Sequence, residues 1–259
     1  MLSLLLGLVM AQEATLSSTP TAIPTPTLLD QYRQDYSFQV AEYQKKYIDY
    51  IDKKEVYTKY RTITSEKDKI DAAKAALVAR SSMLKSYLLA LRVSLDTFKS
   101  SAPTTVSKIQ IELSRWEDWC QEQNLIIGNL NSQNDINNWV DSFKTKYISI
   151  QTVIYTALTQ NQINQRLLSL DLIKKLSDNL KNDPKTGDQL NDWLNSLPVK
   201  SDLVVSKLKN ATDLTQTKQL SNRFVNFYSD AKNELIDADR YLQNMLSDLK
   251  AVAIKLNQL

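Results

Sequence analysis

From residue 28 onward the apolar positions of this chain recur at helical spacing. Tyr36, Tyr43, Tyr50 and Tyr57 stand seven apart, with Val40 and Tyr47 four residues after the first two. Ile63, Ile70, Leu77, Leu84, Leu91 and Phe98 then repeat at the same interval. A seven-residue apolar repeat keeps one stripe on one face of an α-helix and favours left-handed packing against a neighbour. Between Tyr57 and Ile63 the step drops to six, through Thr62-Ile63-Thr64-Ser65, and Ser65 with Asp68 resembles a capping box. This predicts a turn and an antiparallel hairpin. One continuous helix with a local stutter is the alternative.

Ser100-Ser101-Ala102-Pro103 ends the second segment. A third helix is predicted over 105–131, through Val106, Ile109, Leu113, Trp116, Ile127 and Leu130. A fourth, capped by Asp135, carries Ile136, Trp139, Phe143, Tyr147, Ile150 and Ile154 and can run to Leu180. Asp183 and Pro184 read as the cap and first position of a short helix near 188–197. Pro198 is expected to break it, Ser201 to cap a segment through Lys209, and a last helix to run from Leu214 to Leu259. The stretches 28–102, 129–183 and 199–259 contain neither Gly nor Pro, the residues that punctuate turns. The pattern predicts an all-α fold. It is an elongated bundle of about five to six helices, mostly long and antiparallel, with coiled-coil-like packing.

The first residues follow another pattern. Residues 2–10, Leu-Ser-Leu-Leu-Leu-Gly-Leu-Val-Met, form an apolar run closed by Ala11, with Val9 two positions before it. This reads as a signal peptide over 1–11, cleaved before Gln12, although no Lys or Arg precedes the run. A buried N-terminal helical turn is the alternative. The run falls short of the about 20 apolar residues that span a bilayer, and the rest of the chain has no such stretch. Residues 12–27, with three prolines and seven Ser or Thr, read as an extended, disordered linker. Residues 28–259 then form the helical bundle domain. The expectation is export to the extracellular space or cell envelope, with no transmembrane span in the mature chain.

Composition narrows the chemistry. The chain of 259 residues has a net charge of +3 from 32 basic and 29 acidic residues, a balance that does not point to nucleic acid. It has no histidine and one cysteine, Cys120, so the usual general base and the common zinc ligands are missing. Its three glycines are too scattered for a phosphate-cradling loop. No catalytic residue, metal ligand or cofactor is expected, and the chain reads as a non-enzyme.

Two aromatic constellations are candidate interaction sites. Seven of the twelve tyrosines lie between residues 32 and 60. Tyr36, Tyr43, Tyr47, Tyr50 and Tyr57 are a candidate interaction face, since tyrosine combines apolar area with a polar tip. The competing reading packs them on the bundle. Trp116 and Trp119, with Glu117, Asp118 and Glu122 nearby, are candidate glycan-stacking residues; a helix anchor and a solvated acidic face are the plainer readings. Cys120 reads as a small core residue.

The stretch KKEVYTKYRTITSEKDKIDAAKAALVAR, followed by MLKSYLLALRVSLD and RWEDW, resembles uncharacterised exported helical proteins of small-genome, mostly uncultured bacteria. The likeness covers residues 28–155. It implies bacterial export and a helical fold, and it brings no assigned activity and no functional residues. The expected function is an extracytoplasmic, non-enzymatic scaffold, spacer or surface interaction module with an unknown protein or cell-envelope partner. One alternative is a self-associating coiled-coil homo-oligomer built from the stripes 36–57 and 63–98. Another is a carbohydrate-binding or carboxylate-dependent glycan-active protein.

Overall fold

The structure, a computed structural model, describes residues 26–97, 103–183, 186–217, 224–256 and 258. The expected signal peptide and most of the linker lie outside these residues. Six helices follow one another: α1 (Leu28–Tyr60), α2 (Ile63–Asp96), α3 (Pro103–Gly128), α4 (Gln133–Lys181), α5 (Asp188–Thr217) and α6 (Phe224–Leu256). No strand occurs among the described residues. No helix among them is long and apolar enough to cross a membrane.

The break after Tyr57 is a two-residue turn, so the two tyrosine- and leucine-bearing stripes belong to separate helices. Arg61 adopts left-handed backbone (φ 49°), and its N–H donates to the Tyr57 carbonyl at 2.9 Å. Thr62 returns to extended backbone and caps α2. Its Oγ1 accepts from the Ser65 N–H at 3.1 Å, while its own N–H donates to the Ser65 Oγ at 3.1 Å. The cap is therefore Thr62 and not Ser65, because only Thr62 has the non-helical dihedrals an N-cap requires. In the same way Ser132 caps α4 and Asp135 is its reciprocal partner three residues on.

The larger departure is at Pro198. α5 runs straight through it, and the expected short helix, break and restart do not occur. An interior proline costs a helix about 3 kcal/mol. Against that, Leu194, Leu197, Ser201, Val204, Leu208, Ala211 and Thr215 form one buried stripe along α5 at alternating steps of three and four. The expected start of the last helix at Leu214 is also displaced. Leu214 is part of the α5 face packed on the core, and α6 begins at Phe224.

The order of contacts fixes the topology. Tyr57 meets Lys69 while Asp35 meets Ser86, so α1 and α2 are antiparallel. Ser81 reaches Cys120 while Asp96 reaches Gln110, so α2 and α3 are antiparallel. Trp139 reaches Gln123 across α3 and α4, also antiparallel. Beyond these, Lys200 pairs with Asp248 and Asn210 with Glu234, making α5 and α6 antiparallel. Arg80 sits over Phe143 while Asn161 meets Ser94, so α2 and α4 run parallel. Tyr155 meets Tyr228 and Arg166 meets Asp239, so α4 and α6 run parallel too.

The result is two three-helix units sharing one helix. The first combines α2, α3 and the N-terminal half of α4, with α1 laid along α2 as a fourth helix. Its core includes Leu88, Leu95, Leu113, Trp116, Phe143 and Ile150. The second combines the C-terminal half of α4 with α5 and α6, around Leu170, Leu194, Leu208, Leu235, Met245 and Leu249. The 49 residues of α4 belong to both. At about 1.5 Å per residue α4 is roughly 74 Å long. Where it leaves one core for the other its buried side chains turn polar: Thr159, Gln160 and Asn164. There the Gln160 amide donates to Asn164 at 2.8 Å, and Asn161 donates to the Ser94 hydroxyl at 2.6 Å.

Candidate functional site

The tyrosine stripe is the seam between α1 and α2. Tyr43 is 8% exposed, and Tyr36, Tyr50 and Tyr57 are half-buried. Tyr47, at 44%, is exposed. The expectation of an outward docking face is thus corrected at Tyr43, while Tyr36, Tyr50 and Tyr57 keep part of their surface open. The α2 residues shown against the stripe are Lys69 and Tyr87, and Ala72, Ala73 and Ala76 between them are buried. The Tyr57 ring lies under the Lys69 ammonium at 4.0 Å, and Tyr36 meets Tyr87 at 5.2 Å between centroids. Desolvation raises the phenol pKa of Tyr36, Tyr43, Tyr87 and Tyr147. Tyr36, Arg80, Tyr87 and Tyr147 line a crevice of about 40 Å³ between α1, α2 and α4, space for water and little else. Along the second stripe Leu84 and Leu91 are buried and Ile70 and Leu77 half-buried, while Ile63 is exposed and Phe98 lies outside the described residues.

The tryptophan pair has a different setting. Trp116 and Trp119 meet edge to face, with centroids 5.6 Å apart, and Trp119 continues onto Phe143 at 5.6 Å. Trp116 is 7% exposed, so it anchors α3 in the core and offers no open ring face for a sugar. Its indole N–H is buried without a hydrogen-bond partner. Trp119 is half-buried and borders a groove of 390 Å³ between α3 and α4. Arg115, Asp118, Glu122 and Lys146 line its rim. That size falls at the lower end of the roughly 300–1,000 Å³ usual for small-molecule sites.

The carboxylates near this groove divide by burial. Asp118 and Glu122 are exposed, as a solvated acidic face requires. Glu117 is not. It is buried and accepts two hydrogen bonds from the Arg92 guanidinium, at 2.8 and 3.0 Å. This pairing raises the Arg92 pKa, chiefly through the hydrogen bond. Glu117 lies on the helix face that carries Leu113 and Cys120 into the core, apart from the exposed Asp118 and Glu122. In the second unit Asp239 pairs with Arg166 and Asp237 with Lys207. The Lys207 hydrogen bond holds the Asp237 carboxyl below its usual value.

Cys120 is fully buried, and burial pushes its thiol up to about 12, leaving no thiolate near neutral pH. Among the described residues no group of three or more Cys, Asp or Glu side chains could hold a metal ion. Comparison with protein-family models, with characterised proteins and with solved structures finds no match to this chain.

Proposed function

We propose that this chain is an extracytoplasmic, non-enzymatic helical bundle that acts as a scaffold, spacer or surface interaction module. The observation that carries this reading is the sharing of α4 by both three-helix units. Because α4 is continuous across the junction, no loop of its own connects one unit to the other. A helix packed on both sides holds two surfaces at a set separation, which suits a spacer better than a catalyst needing a closing cleft. The apolar run at residues 2–10 and the likeness to exported helical bacterial proteins support export. Fractionation of the native host, with N-terminal sequencing of the recovered chain, tests this. A chain beginning at Gln12 in an extracytoplasmic fraction is the expected result. A chain beginning at Met1 and confined to the cytosol sinks the proposal.

The α3–α4 groove favours carbohydrate binding as a second reading. Trp119 supplies apolar ring surface, and Asp118, Glu122, Arg115 and Lys146 supply hydroxyl partners. Titration with a panel of oligosaccharides, comparing the natural chain with Trp119→Ala, tests it. Absence of any binding removes it, as does binding that survives the substitution.

A further inference from the structure

The α1–α2 hairpin carries a second kind of surface at its apex. From Ala72 to Leu95 no residue of α2 is exposed, because α1, α3 and α4 surround that stretch. Ahead of Ala72 the pattern changes. Ile63, Thr64, Lys67, Asp68 and Asp71 are exposed, and the buried positions Ser65 and Lys69 share one face with Ala72, Ala73 and Ala76, toward α1. The hairpin therefore reaches past the rest of its unit by about nine residues of α2, roughly 13 Å.

Every residue from Thr58 to Thr64 is exposed. Apolar side chains stand among them: Ile63 is 90% exposed, Tyr60 60% and, one turn back, Val56 43%. Cations surround them. Residues 53–67 hold Lys53, Lys54, Lys59, Arg61 and Lys67 against Glu55 and Glu66. None of these five cations has an ion-pair partner among the described residues, whereas pairs three or four residues apart recur elsewhere in the chain. Lys59 instead sits over the Tyr60 ring at 5.2 Å. Between Thr58 and Thr64 the only charges are Lys59 and Arg61, and the acids Asp52, Glu55, Glu66, Asp68 and Asp71 stand to either side of that segment, so the outermost turn itself is positive.

We propose that this apex docks on an anionic lipid surface. A convex tip offers no groove for a peptide, but it can bring Ile63 and Tyr60 against a flat interface. Isoleucine enters the acyl boundary, tyrosine favours the headgroup level, and Lys54, Lys59, Arg61 and Lys67 meet lipid phosphates. Few apolar groups take part, so attachment is reversible and weakens as salt screens the charges. The inference goes beyond the scaffold reading and is tested apart from it, since vesicles report on the apex whatever compartment the protein occupies.

The test uses the full chain with Thr64→Cys carrying an environment-sensitive dye; the natural Cys120 is buried and does not take the label. Phosphatidylcholine vesicles are compared with vesicles that also contain phosphatidylglycerol. The expected result is a blue shift and co-sedimentation with the anionic vesicles alone, both reversed by salt. Lys59→Glu with Arg61→Glu lowers the vesicle-bound fraction at least about tenfold. Ile63→Ser with Tyr60→Ser also weakens binding, and circular dichroism shows these exposed substitutions leave the helices intact. An unshifted dye overturns the proposal, even where the chain sediments with vesicles through another region. Equal binding to neutral vesicles, or undiminished binding by the charge-reversed variant, overturns it as well. Crosslinking of the apex to a protein, with silence toward vesicles, replaces the lipid by a protein surface.

Discussion

The two three-helix units share a helix and differ in how they are held. The second is built on aliphatic repetition. Along α6, Ala231, Leu235, Ala238, Leu242, Met245, Leu249, Val252 and Leu256 are all buried at alternating steps of four and three. Its polar contacts include Lys207 with Glu234 and Asp237 at the rim, and the part-buried Arg166, which donates to Asp239 and the Leu235 carbonyl. The first unit is more particular. Its core joins Trp116, Trp119, Trp139 and Phe143 and contains directed polar contacts. Trp139 donates to Gln123 at 2.9 Å, Ser81 to the Cys120 carbonyl at 2.8 Å, and Arg92 clamps buried Glu117. A repeating aliphatic core accepts many sequences with the same period. An aromatic and polar core needs each partner at its own position.

The strongest way to break this comparison is a cavity in each core. Leu113→Ala and Leu249→Ala should each cost about 3 kcal/mol, both sites being almost fully buried. Hydrogen exchange should show amides of α2 and α3 opening in the first variant and those of α5 and α6 in the second. Equal loosening of all helices by both would mean one cooperative core.

Glu117→Gln should cost about 2 kcal/mol, since it leaves the Arg92 charge facing a neutral partner, though Arg92 keeps some solvent. Lys207→Met, at the rim of the second unit, should cost less. Denaturant midpoints decide, and a larger effect at Lys207 would reverse the contrast.

A more gradual difference should appear at high pH. Burial raises the phenols of Tyr36, Tyr43, Tyr87 and Tyr147 in the first unit and its α1 strap, and of Tyr228 in the second. The unfolded chain releases these protons near 10, while the folded chain still holds them. The stability they supply is whole below pH 10 and is lost as pH climbs toward the folded values. The first unit should therefore open first, seen as reaction of Cys120 with a thiol reagent before α5 and α6 lose helicity. Loss of the second unit first would contradict the assignment.

The smallest effect should come from the turn. Arg61 occupies left-handed backbone, which an L side chain disfavours, so Arg61→Gly should stabilise the hairpin by up to about 1 kcal/mol. Thermal melting reads this directly, and a loss of stability would show that the Arg61 side chain does more than turn the chain.

Much of this was legible in the chain. Seven-residue stripes announced α1 and α2, and the six-residue step at Ile63 marked the hairpin. Pro198 misled, because local backbone preference was weighed without the buried stripe from Leu194 to Thr215 that outweighs it. The caps shifted by three residues because Ser65 and Asp135 serve as reciprocal partners, and sequence alone does not say which end of such a pair has extended backbone. The candidate sites were harder. Periodicity placed Tyr43 and Trp116 on helix faces without saying what those faces meet.

Sequence by itself determined that the chain is helical and where the first hairpin turns, because period and the distribution of Gly and Pro are local properties that act within a few residues. Only the tertiary structure decided that the tyrosine stripe packs on α2 at Lys69 and Tyr87, that Glu117 is buried with Arg92, and that α4 serves two cores. Each of those depends on residues distant along the chain meeting in space, and no local pattern encodes which of several apolar faces will be covered. The same holds for the hairpin apex, whose residues are distinctive because α2 is covered from Ala72 to Leu95 and open ahead of it.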